Sequence, residues 1–82
     1  MKILNEADFT LDRIGWPSLR FQENEKIKEV WINIRCVNQI IYDFEENSIL
    51  ICLNTTEVYK LICPKNFTDI KNRVEQYFIF KS

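Results

Sequence analysis

The chain has 82 residues, a formal net charge of -1, 46% hydrophobic and 28% charged residues. This composition predicts one small folded domain over 1–82, and excludes a chain that is mainly disordered. It also argues against a general electrostatic grip on DNA or RNA, which needs a basic face to displace counterions.

The first segment reads two ways. Phe9, Leu11 and Arg13 alternate like a strand, while Phe9 and Arg13 behind a few acids also fit one or two helical turns. Gly15-Trp16-Pro17 breaks whatever precedes it, because proline disfavours helix at the residue before it. Residues 18–22, SLRFQ, alternate Leu19 and Phe21 and predict a strand; ENEK, 23–26, is a polar turn. From Ile27 to Cys36 the period is two. Val30, Ile32, Ile34 and Cys36 point one way, and Glu29, Trp31, Asn33 and Arg35 the other, which predicts one strand with a buried face and a mixed face.

Val37 to Phe44 predicts the next strand, and Glu45-Glu46-Asn47 a turn. Ser48–Leu53 and Glu57–Ile62 form a hairpin across Asn54-Thr55-Thr56, apolar on both faces as expected of central strands covered on two sides. Pro64 then separates strand from helix. Asn66 is placed to cap, and Phe67, Ile70, Val74, Tyr77 and Phe78 fall on one helical stripe. The fold class expected is α+β: a small, predominantly antiparallel sheet of about four to six strands with a C-terminal amphipathic helix packed on one face.

Catalytic chemistry is not legible. The chain has no histidine, which removes the usual general base and the commonest metal ligand. Its one glycine, Gly15, cannot build a phosphate-cradling loop. No catalytic residues, metal ligands or cofactors are expected. The three cysteines, Cys36, Cys52 and Cys63, form no Cys-x-x-Cys pair. If Leu53 pairs with Val58, Cys52 faces Tyr59 and Cys63 faces Ser48. The two cysteines then stand about 13 Å apart along the hairpin, at about 3.3 Å per residue. A disulfide needs Cα atoms within about 7 Å, so core packing is the better reading.

The candidate partner-binding residues are Trp31, Arg35 and Trp16. Aromatic side chains with a guanidinium nearby have the composition of an interface hot spot, and Trp16 sits in a loop where such anchors concentrate. The plain alternative is that the helix or the N-terminal segment covers Trp31 and makes it core. The acids of Glu23-Asn24-Glu25 and Glu45-Glu46 read as solvated turns.

The function expected is a non-enzymatic protein-interaction module, such as a small inhibitor, immunity or anti-host regulatory factor. The scarcity of alanine beside abundant Ile, Asn, Lys and Phe suggests a low-GC bacterium or one of its viruses. Self-association belongs to the same class. The alternative is a nucleic-acid-binding regulator that stacks bases on sheet aromatics. No apolar run approaches the roughly 20 residues of a membrane helix, and MKILNEADF lacks the apolar core of a signal peptide, so a cytoplasmic protein is expected.

Overall fold

A computed structural model gives the fold, and the structure describes residues 1–11 and 17–78. Six strands, β1 (Lys2–Leu11), β2 (Pro17–Glu23), β3 (Lys26–Trp31), β4 (Val37–Asp43), β5 (Ser48–Leu53) and β6 (Val58–Ile62), form one sheet, and α1 (Phe67–Phe78) packs on it. The spatial order is β3-β2-β1-β6-β5-β4. Two antiparallel meanders, β1-β2-β3 and β4-β5-β6, lie side by side, and the junction between β1 and β6 is parallel. This is the expected small α+β fold.

The first segment is a strand through Leu11, and an irregular one. Beyond Asn5 the register of β1 against β2 shifts before Asp8, and Glu6 within the shift has φ 51°. This is a β-bulge. Leu4, Ala7 and Phe9 are all buried. The extra residue spaces the first two by three, a helical interval inside a strand.

The predicted strand Ile27–Cys36 ends early. β3 stops at Trp31, and a 3-10 turn spans Ile34–Cys36. The Asn33 side chain accepts the Arg35 backbone N–H at 3.0 Å, the local bond by which asparagine competes with a strand ladder. Trp31, Asn33 and Arg35 are therefore not aligned on one strand face.

The β5–β6 hairpin turns across Asn54-Thr55-Thr56 as the sequence suggests, but its register differs by one residue from the supposed Leu53–Val58 pairing. Cys52 pairs with Val58 and Ser48 with Ile62, so Cys52 does not face Tyr59. The Leu53 N–H donates to the Glu57 carbonyl at 2.8 Å and the Thr56 N–H to the Leu53 carbonyl at 3.2 Å, closing a three-residue loop with Thr56 at φ 73°. That position normally takes glycine, because a left-handed backbone crowds a β-carbon. Thr56→Gly is expected to stabilise the fold by about 0.5–1 kcal/mol, the relief of that crowding exceeding the added chain entropy. Thermal unfolding checks this: Tm should rise by a few degrees, and an unchanged or lower Tm removes the strain argument. The other tight hairpin, β2–β3, turns through Asn24 and Glu25 at φ 53° and 63°, the paired left-handed geometry of a two-residue turn.

The core lies between the sheet and α1. Leu4, Phe9, Leu19, Ile49, Ile51, Leu61, Ile70 and Val74 are 0–1% exposed. Phe67 of α1 meets Tyr42 of β4, ring centroids 6.5 Å apart, and Tyr77 meets Phe9 of β1 at 6.1 Å. The helix thus runs across one sheet face from β4 to β1. Beyond Leu4, where pairing to β6 ends, Arg73 reaches the Asp8 carboxylate at 3.0 Å and the Phe9 carbonyl at 3.3 Å. The predicted stripe is seen in Ile70, Val74 and Tyr77; the Phe78 side chain lies outside the described residues.

Candidate functional site

Register fixes which side chains share the sheet face opposite α1. Ile3 of β1 pairs with Lys60 of β6, Lys60 with Leu50 of β5, and Leu50 with Ile41 of β4. These four form one row across four strands. They alternate with the helix-facing Leu4, Leu61, Ile49 and Tyr42, so the row faces away from α1. Ile3 is 53% and Ile41 40% exposed, with Met1 beside them at 78%. Cys52 and Val58, a cross-strand pair on the same face, are half-buried. β5 and β6 are central strands, but they are not covered on two sides as the sequence suggested. Their second apolar face is open.

At its β4–β5 end the row descends into a concavity of about 500 Å³. Met1, Ile41 and Leu50 make its apolar lining, and Asp43, Glu45, Glu46 and Lys60 bring charge to it. Lys60 pairs with Glu46 at 2.6 Å. One Asp43 oxygen accepts the backbone N–H groups of Glu45 and Glu46, both at 3.0 Å, which builds the turn that carries those acids. With one lysine against three carboxylates, the mouth is acidic. The Glu45-Glu46 turn is therefore solvated, as the sequence suggested, and also borders this concavity.

Trp31 is 60% exposed and is not core. Its indole N–H donates to the Glu29 carboxylate at 3.3 Å, and Glu29 lies 3.9 Å from Arg20 on β2. Trp31 pairs with Ser18, which pairs in turn with Thr10, placing the indole at the far end of the face from Ile3. Arg35 is exposed on the 3-10 turn. Trp16 lies outside the described residues. Among the described residues the structure thus exposes an apolar row on β1, β6, β5 and β4 and a charged rim with Trp31 on β2 and β3.

All three cysteines are free thiols, Cys63 buried and the other two half-buried. Burial pushes the Cys63 thiol up to about 11, helped by the nearby Asp8 carboxylate, which keeps it protonated and unreactive at neutral pH. Burial also raises the Tyr42 hydroxyl to about 12, with the Glu75 carboxylate adding to the shift. Among the described residues no group of His, Cys, Asp and Glu is arranged to hold a metal ion, and no helix is long and apolar enough to cross a membrane.

Sequence reasoning missed Leu50 because it assigned both faces of β5 and β6 to the core, and missed Ile3 and Ile41 because it assigned neither to a strand face. The available signal was arithmetic: a single 12-residue helix cannot cover two faces of a six-stranded sheet. No protein-family model, curated protein or solved structure matches the chain.

Proposed function

We propose that the chain is a non-enzymatic protein-interaction module whose partner docks on the open sheet face. The observation that carries this reading is the row Ile3–Lys60–Leu50–Ile41, apolar at three of four positions and uncovered. Exposed apolar surface of this kind, rimmed by charge, is characteristic of interaction sites. The acidic mouth favours a partner that presents an apolar side chain flanked by lysine or arginine.

A small inhibitory or regulatory factor suits an 82-residue chain without histidine, and three free thiols suit a reducing cytoplasm. Trp31 and Arg35 are kept as a second contact region, with Trp16 on the chain just before β2. Nucleic acid is the weaker reading: the concavity is acidic, and Trp31 is held by a carboxylate rather than standing over a basic groove.

The test is affinity capture from source-cell lysate with wild type, Ile3→Asp and Trp31→Ala, each first shown to be folded by circular dichroism. Ile3→Asp is expected to weaken capture by about tenfold or more, since it puts a charge into an apolar contact worth about 1–3 kcal/mol. Trp31→Ala should matter less. Capture lost only with Trp31→Ala moves the site to the β2–β3 end. Capture abolished by nuclease returns the question to nucleic acid.

A further inference from the structure

β3 and β4 are the two edges of the sheet, and they are built differently. β3, KIKEVW, carries Lys26, Lys28 and Glu29 along its six residues. Charge of this kind discourages a second strand from adding to an edge. β4, VNQIIYD, has no lysine, arginine or proline, and its only carboxylate is at the last position.

The hydrogen-bonding direction of β4 follows from its neighbours. The Leu53 N–H donates to Glu57 and the Cys63 N–H to Asn47, so the odd-numbered residues of β5 face β6 and the even-numbered ones face β4. Leu50 pairs with Ile41 and Ser48 with Asp43, so Ile41 and Asp43 spend their backbone groups on β5. Ile40 and Tyr42 then direct N–H and C=O outward, where no strand among the described residues lies.

We propose that the chain dimerises by antiparallel pairing of two β4 edges, with Ile41 on the two-fold axis. In this register Ile40 of one copy and Tyr42 of the other exchange backbone hydrogen bonds, twice over by symmetry. Ile41 meets its own copy in the non-hydrogen-bonded position, where opposing side chains come closest. Gln39 lies opposite the partner's Asp43, an amide against a carboxylate. Moving the axis to Ile40 would set Gln39 against Ile41 and Asp43 against Val37, pairing polar with apolar. Registers that shift by one residue place opposite faces together and are excluded by the period of two. The self-pairing register is thus the one in which the opposed pairs within residues 39–43 of the two strands match in kind. It also joins the two apolar rows through Ile41. The inference stands on the strand edge and does not depend on the partner-docking reading.

Sedimentation equilibrium from about 1 µM to about 1 mM tests it, a range that spans weak to moderate dimers. The mass should rise from 9.9 kDa toward twice that value. Ile41→Lys and Ile41→Glu should each raise the dissociation constant by about tenfold or more, because like charges would oppose each other across the axis. An equal mixture of the two should restore the dimer. Hydrogen exchange on the unmodified protein gives an independent readout: the Ile40 and Tyr42 amides should become protected only at concentrations where the dimer forms. A monomeric mass throughout, a dimer in which those amides stay unprotected, or folded Lys and Glu variants that dimerise as well as wild type would each overturn the proposal.

Discussion

Replacing Phe9 with alanine should destabilise the fold by about 3–5 kcal/mol, the range for deleting a buried aromatic and leaving a cavity. Phe9 is 1% exposed, pairs with Leu19 across β1 and β2, and meets Tyr77 edge-on with ring planes at 62°. It therefore joins the sheet to the last turns of α1, and the substitution removes contacts on both sides. A domain of this size has about 4–12 kcal/mol of total stability, so most of it is at risk. Urea unfolding should show the midpoint falling sharply. Ile3→Asp on the same strand is the control: its side chain faces solvent, and its cost should stay below about 1 kcal/mol. Comparable losses at both positions would mean that the open face is covered in solution, which would also remove the basis for docking there.

The second large effect is alkaline. Cys63 is raised from 9.0 to about 11 and Tyr42 from 10.0 to about 12. Both groups are neutral when protonated, and burial favours that form. As pH rises, the unfolded chain loses these protons first, and unfolding becomes more favourable. The contribution is complete below about pH 9 and declines between about 9 and 12. For Cys63, fully buried, the loss amounts to about 2 kcal/mol by pH 11. Tyr42 is partly exposed, so solvent screens its surroundings and it contributes less than the thiol. Stability measured in urea at a series of pH values should show the decline. Cys63→Ala should flatten it between pH 9 and 10 whatever its effect on absolute stability, and Tyr42→Phe should flatten the upper part. Parallel slopes in wild type and Cys63→Ala would show that the thiol is not the titrating group.

Much of the architecture was legible because period carries it. β2, β4, β5, β6 and α1 lie where alternation and the helical stripe place them. Two differences come from local geometry that period cannot register: Asn33 capping its own turn, and the left-handed Thr56 that sets the hairpin register one residue from the Leu53–Val58 pairing. The open face was hidden for another reason. An apolar residue in a central strand looks the same in sequence whether a second layer covers it or not, so Leu50 reads as core. Trp31 shows the converse: its mixed neighbours are compatible with core as well as with exposure, and its alignment with Arg35 assumes a strand that ends at the tryptophan itself.

The parallel seam has a consequence for how the chain reaches this state. Within each meander, paired residues are close in sequence, and hairpins close cheaply. The seam joins Lys2 to Tyr59 and Leu4 to Leu61, contacts that bridge nearly the whole chain. They carry more loop-closure entropy than any other strand pairing in the sheet and gain little until β6 already has β5 beside it. The order of assembly is therefore written into the strand order. The two meanders are the early units, their lateral union is the late event, and α1, anchored on β4 at one end and β1 at the other, is the strap that makes that union cooperative.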